Sequence, residues 1–84
     1  METIIIKETG KIHTTVYTYI LSLIEATFPN RPESEHKNVV HTVFLLSASY
    51  SMAIEAVEKN AQKVLGKSIE QILEDNGISR VVIE

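Results

Sequence analysis

Basic, hydroxyl and aromatic side chains that could hold an anionic ligand gather at three places in this chain of 84 residues. The candidate ligand-binding residues are Lys11, His13, Thr14, Tyr17, Arg31, Lys37, Lys59 and Asn60. Ammonium, guanidinium and hydroxyl groups donate hydrogen bonds to phosphate oxygens, and a nucleobase stacks on an aromatic ring. Each residue taken alone is also typical of a solvated helix surface, as in the pair Glu55 and Lys59 at a spacing of four. Taken together, they predict a site for a small anionic ligand.

Side-chain combinations that catalyse reactions are not evident in the sequence. There is no cysteine, which excludes thiolate nucleophiles and cysteine-ligated zinc. The serines at 47, 49 and 51 have no base placed beside them, and no glycine-rich phosphate-binding loop is present. His36 and His41 are five residues apart, whereas a helical zinc pair needs a spacing of four, so we expect His36 to be solvated. We therefore expect no enzyme activity, no metal and no cofactor.

Composition narrows the possible partners. Eight basic residues against eleven acidic ones give a net charge of −3, which disfavours binding to the DNA backbone. The segment 39–57 approaches the length of a membrane span, but it contains His41, Thr42 and Glu55, and we expect it to be buried between subunits instead. The first ten residues do not resemble a signal peptide, and the lack of cysteine is compatible with a reducing compartment. We expect a cytoplasmic protein whose partners include neither DNA nor a membrane.

The hydrophobic pattern between the two ends of the chain predicts helices. A first helix over 13–28 ends at Pro29, because the residue before a proline is pushed out of the helical conformation. A second helix is expected to run without interruption over 32–65 and to end at Gly66. A third, short helix is expected over 68–76. The loop between the first two helices is short, which predicts an antiparallel hairpin.

Two further features of the sequence predict terminal strand segments and burial of the second helix between subunits. Runs of β-branched residues at 4–6 and 81–83 predict short extended or strand segments, paired either within the chain or between subunits. Apolar residues, among them Val39 and Leu46, surround most of the second helix, and a lone hairpin cannot bury them. The expected fold is therefore one mainly α domain over 1–84, an antiparallel helical hairpin with a long second helix and a short third helix, packed as a homo-oligomer.

The middle of the chain also carries a recognisable arrangement of residues. An apolar helix, Phe28-Pro29 and a polar loop with Arg31 precede a second helix that closes with Lys59-Asn60 after small and aliphatic residues. Over residues 20–60 this arrangement resembles the helical hairpin of the phage anti-CBASS cyclic-nucleotide sponge family. The family commonly has arginine at the position of Lys59 and a tryptophan in the second helix, which this chain lacks; Tyr17 is the candidate for the family's tyrosine.

The resemblance implies a homohexamer that captures cyclic di- and trinucleotides in pockets between subunits without cleaving them. Phage proteins of this kind act in the host cell cytoplasm and block CBASS antiviral signalling by keeping the second messenger from its effector. The residues themselves do not select cyclic nucleotides over another anion. Two alternatives stay open: a dimeric ribbon-helix-helix-like DNA-binding regulator, with Thr3, Ile5 and Lys7 on one strand face, and a protein-interaction adaptor. The long second helix and the negative charge argue against the first of these.

Overall fold

Four helices and a two-stranded sheet form the part of the chain that the structure describes. The structure, a computed structural model, describes residues 3–8 and 13–84. In chain order the elements are β1 (Thr3–Ile6), α1 (Thr14–Thr27), α2 (Glu33–Leu46), α3 (Tyr50–Leu65), α4 (Ile69–Asn76) and β2 (Arg80–Ile83). The expectation of a mainly helical chain with strand segments at both ends is confirmed.

Helix α1 forms where the sequence predicts it. His13 is the N-cap residue, and its Nδ1 accepts a hydrogen bond from the backbone N–H of Thr15 at 3.1 Å. The helix ends at Phe28, one residue before the proline that stops it. Its apolar face, which includes Val16, Ile20 and Leu23, is fully buried. Helix α1 packs against α3, α2 and β2, and is therefore the central element of the core.

The expectation of one long helix over 32–65 is wrong, because the chain leaves the helical conformation at residues 47–49. Ser49 becomes the N-cap of α3, where its hydroxyl accepts from the backbone N–H of Met52 at 3.2 Å. Ser47 donates its hydroxyl to the Val43 carbonyl at 2.7 Å, at the last turn of α2. Serine side chains compete for backbone groups in this way, and they therefore favour helix ends over helix interiors.

The break changes which residues of the second and third helices are buried. Val39 and Leu46, both expected on a shared buried face, are exposed, whereas Val40 is fully buried. A straight helix would carry one apolar face through the whole segment, whereas two separate helices can each turn a different face to the core. The result leaves Leu45 and Leu46 exposed at the end of α2.

Helices α3 and α4 end at glycines that adopt the left-handed conformation. Gly66 has φ of 65° and Gly77 has φ of 63°, values that side-chain-bearing residues rarely adopt. Between them, the Ser68 hydroxyl accepts from the backbone N–H of Gln71 and caps α4, as the sequence predicts. This tight connection folds α4 back against α3 and α1.

Strands β1 and β2 pair with each other in parallel, which settles the pairing within the chain that the sequence left open. The register joins Thr3 to Arg80 and continues to Ile6 opposite Ile83. A parallel pair needs a long crossover connection, and here the four helices supply it. Successive side chains alternate between faces, so Ile6 and Val81 are buried while Ile5 and Val82 are exposed. Within the described part of the chain, no helix is long and apolar enough to cross a membrane.

Candidate functional site

An open cleft of about 780 Å³ runs along one side of α1. The segment 76–79, from the last residue of α4 to the residue before β2, also lines the cleft, as do Ile4 and Val81 of the sheet. The polar side chains that line it are Thr14, Thr15, Thr18, Tyr19, Ser22, Glu25, Asn76 and Ser79. The cleft therefore combines a hydroxyl-rich helix face with a turn whose Gly77 presents little more than backbone.

The hydroxyl groups on α1 lie on one face because of their spacing. Thr14, Thr18 and Ser22 recur every four residues, which places them one above another along a helix. This face lies beside the buried apolar face of the same helix, so the cleft borders the core. Hydroxyl groups both donate and accept hydrogen bonds, and three in a row can follow a ligand rich in oxygen atoms. The sequence reasoning singled out Thr14 alone, although the spacing of four was the signal for all three.

The charge in the cleft is unevenly distributed along α1. Among the described residues that line the cleft, none is a lysine, arginine or histidine, and Glu25 is the one charged side chain. The N-terminal end of α1, at Thr14, carries the partial positive charge of a helix terminus. Glu25 lies eleven residues further along, about 16 Å at the rise of an α-helix. The cleft thus has an electropositive end and an acidic end.

A partly buried hydrogen bond fixes Tyr19, one of the residues that line the cleft. The Tyr19 hydroxyl on α1 donates to Oε2 of Glu58 on α3 at 2.6 Å, and Tyr19 is only 2% exposed. Burial raises the pKa of the Tyr19 phenol well above its usual range, and the hydrogen bond to the Glu58 carboxylate raises it further. Tyr19 therefore stays protonated and acts as a fixed donor that ties α1 to α3.

The predicted residues before and within α1 are divided between the cleft and other roles. Thr14 lines the cleft. His13 caps α1 instead, and Tyr17 packs between two helices, with its ring stacked on Phe44 at a centroid distance of 6.3 Å. Lys11 lies outside the described residues. Of the three predicted residues that the structure describes here, it therefore brings Thr14 alone to the cleft.

The predicted cations just before α2, on α2 and on α3 each pair with an acidic residue four positions away in the sequence. Their ion pairs are Arg31–Glu35 at 3.8 Å, Lys37–Glu33 at 3.6 Å and Lys59–Glu55 at 3.0 Å. All six side chains are largely exposed, so water screens each pair and its contribution to stability is small. None of the three cations lines the α1 cleft.

Two predicted residues line neighbouring pockets of a second, smaller groove between α1, α2 and α3. Arg31 borders a pocket of about 310 Å³ and Asn60 an adjoining one of about 140 Å³. The two pockets share walls formed by Ile24, Phe28 and Val39. An arginine and an amide in a partly apolar groove are groups that could hold an anion with a flat ring, and Glu35, the ion-pair partner of Arg31, lines the same pocket as that arginine. Lys37 and Lys59 border neither pocket.

His36 beside this groove corrects the expectation of a solvated histidine, since it is only 6% exposed. Its Nε2 lies 2.7 Å from the Phe28 carbonyl oxygen, and because a carbonyl only accepts, Nε2 is the donor. Nδ1 is buried and has no hydrogen-bond partner among the described residues. His36 thus links the start of α2 to the end of α1. The residues that the structure describes include no group of three or more His, Asp or Glu arranged to hold a metal ion.

Comparison with known proteins identifies no relative of this chain. No protein family, curated protein or solved structure matches the chain.

Proposed function

We propose that this protein is a sponge that binds cyclic di- and trinucleotides without cleaving them, with the α1 cleft as its main binding surface. The observation that carries the proposal is the hydroxyl-lined cleft of about 780 Å³. Sites for small molecules generally occupy about 300–1,000 Å³ and combine apolar walls with a few placed polar groups. The resemblance of residues 20–60 to anti-CBASS sponges supplies the ligand class, which the cleft alone does not.

The cleft offers a distinct contact to each part of a cyclic nucleotide. The hydroxyls of Thr14, Thr18 and Ser22 would bond ribose and phosphate oxygens. Phosphate charge would sit toward Thr14, since the helix terminus there favours an anion and Glu25 at the other end repels one. Ile78 and Val81 would cover one face of a base. Each contact binds and none breaks a bond, so the ligand would be released intact and the effect on signalling would come from sequestration.

The groove with Arg31 and Asn60 is proposed as a second binding surface. Lys37 and Lys59 border neither of its pockets, and they stay candidates only because an exposed ion pair contributes about 0–1 kcal/mol and a phosphate can replace its carboxylate. Alanine substitution of Arg31 or Asn60 should then weaken binding of a cyclic trinucleotide or dinucleotide. If neither substitution changes any binding constant, the α1 cleft is the only surface that the proposal retains.

Isothermal titration with 3′,3′-cyclic dinucleotides and a cyclic trinucleotide tests the proposal. The variant Thr18→Tyr places a large ring in the cleft, and Thr42→Tyr makes the same change at an exposed position of α2 outside it. We expect saturable binding by the unmodified protein and by Thr42→Tyr, and at least tenfold weaker binding by Thr18→Tyr. Flat titrations with every ligand would refute the sponge function, and equal binding by both variants would move the site away from α1.

We also propose that the protein self-associates through the corner between α2 and α3. Leu45 and Leu46 are 86% and 81% exposed, and Met52 at the start of α3 is more than half exposed. Adjacent exposed apolar residues are typical of a protein–protein contact. The resemblance implies a homohexamer. Light scattering should give a multiple of 9.4 kDa, and Leu45→Ser with Leu46→Ser should lower it.

The same exposed corner supports the adaptor alternative, and one control separates the two possibilities. Val64 is also half exposed but lies at the far end of α3, so Val64→Ser should leave the mass measured by light scattering unchanged. A monomer whose binding to another protein depends on Leu45 and Leu46 would favour the adaptor. The DNA-binding alternative has lost one objection, because the long helix is broken. It has gained another, because one edge of β1 is already paired with β2 of the same chain.

A further inference from the structure

Glu25, the one charged side chain among the described residues that line the α1 cleft, is the feature that could give the cleft base specificity. Glu25 stands near the C-terminal end of α1 and is exposed. It takes part in none of the ion pairs formed among the described residues. Next to it the cleft is walled by Ala26 and Pro29, which are small or rigid and leave room for a flat ring. A ligand that enters this end of the cleft therefore meets a carboxylate that has no ion-pair partner among the described residues.

A carboxylate has two oxygens that accept hydrogen bonds and, when ionised, nothing that donates. Among the common bases, guanine alone presents two neighbouring donors on its Watson–Crick edge, the ring N1–H and the exocyclic N2 amino group. Adenine and cytosine place an acceptor nitrogen beside their amino group, and uracil places its single N–H between two carbonyl oxygens. Only guanine can therefore meet both oxygens without bringing an acceptor against the carboxylate.

We propose that Glu25 makes the cleft selective for guanine, with its carboxylate accepting from N1–H and the N2 amino group of one base. The inference rests on the proposed function, since it names the base that the cleft reads. It also orients the ligand: the guanine lies toward Ala26 and Pro29, and the phosphates lie toward Thr18 and Thr14, away from the carboxylate. Adenine at the same place would leave Glu25 with one donor and one opposed acceptor.

Calorimetric titration of the full chain with three cyclic dinucleotides tests the assignment. The ligands are cyclic di-GMP, cyclic di-AMP and cyclic di-IMP, and hypoxanthine in the last keeps N1–H but lacks the N2 amino group. The variant Glu25→Gln removes the charge and one acceptor with little change in shape. Glu74→Gln on α4 is the matched control, since Glu74 is exposed and does not line the cleft.

We expect the unmodified protein and Glu74→Gln to bind cyclic di-GMP at least about tenfold more tightly than the other two ligands, because a site built for a donor rejects an analogue that lacks it. Glu25→Gln should bind cyclic di-GMP about 10–100-fold more weakly and cyclic di-AMP nearly unchanged. The losses from Glu25→Gln and from the missing amino group should not be additive, because both remove the same contact.

Other outcomes separate the two proposals. Equal binding of all three ligands, or equal losses for all three in Glu25→Gln, would overturn guanine selection while leaving the sponge function in place. Additive losses would show that the amino group and Glu25 do not meet, and would also overturn it. The absence of binding by any of the three ligands and by a cyclic trinucleotide would remove the sponge function, and guanine selection with it.

Discussion

Replacing Tyr19 by phenylalanine should measure how strongly α1 is tied to α3 beneath the cleft. The substitution removes one hydroxyl and leaves a ring of nearly the same shape in a position that is 2% exposed. What is lost is the 2.6 Å hydrogen bond to the Glu58 carboxylate. Bonds to charged groups contribute about 1.5–3 kcal/mol to stability. Because Glu58 is only partly buried, water can replace part of that bond, so we expect a loss near 1.5 kcal/mol.

Urea denaturation followed by circular dichroism checks this value, and thermal melting checks it independently. In a domain of this size each kcal/mol lowers the melting temperature by about 4–8 °C, so the expected fall is about 6–12 °C. Tyr17→Phe is the matched control. Tyr17 packs through its ring against Phe44, and losing its hydroxyl should change the free energy of unfolding by less than about 0.5 kcal/mol.

A double-mutant cycle with Glu58→Ala decides whether the bond is the cause. If Tyr19 and Glu58 act through each other, the double variant should be more stable than the sum of the single losses indicates, by about 1 kcal/mol. A coupling energy below about 0.4 kcal/mol would refute the reasoning, because independent sites add to within that error. A Tyr19→Phe variant as stable as the unmodified protein would refute it as well.

Three further predictions follow from the helix ends and from Tyr19. Ser49→Ala should lower the free energy of unfolding by about 1 kcal/mol, because the Ser49 hydroxyl that caps α3 by accepting from the Met52 N–H is lost. Ser51→Ala, the control, should change the free energy of unfolding by less than about 0.5 kcal/mol, and urea titration distinguishes the two variants. Gly66→Ala should cost about 1 kcal/mol because φ is 65° there, and Gly66→Asn should cost less in the same assay. Because the pKa of Tyr19 is raised in the folded protein, its contribution to stability is complete below about pH 10, the pKa of an unfolded tyrosine, and is lost as the pH rises further. Stability should therefore fall more steeply above pH 10 in the unmodified protein than in Tyr19→Phe, with equal slopes counting against the shift.

The helices that end at strong local signals could be read from the sequence alone. Residues 13–28 contain no glycine or proline and are followed by Pro29, and α1 occupies nearly that span. Gly66 and Gly77 end α3 and α4 in the left-handed conformation, as expected for residues without a side chain. In these places a single residue decides the backbone conformation, so no distant contact is needed.

The break at 47–49 is different because the local signals are balanced. Serine is tolerated inside a helix and favoured at its start. Residues 33–65 contain no glycine or proline, so no helix-breaking residue marks whether the helix continues or ends at the serines. The choice depends on which faces of α2 and α3 the rest of the core can cover. His36 shows the same dependence: its burial follows from the position of α1, where the Phe28 carbonyl accepts its Nε2 proton.

The candidate site was only partly foreseeable for the same reason. The sequence determined which residue types were available, namely scattered cations, three hydroxyls at a spacing of four and a carboxylate on one helix. The tertiary structure decided that the hydroxyls face the segment 76–79, more than fifty residues away, and that Arg31, Lys37 and Lys59 lie outside this cleft. Spacing fixes what shares a helix face, because the helix repeat is local; what lies opposite that face is fixed only by how the helices and the parallel strands pack.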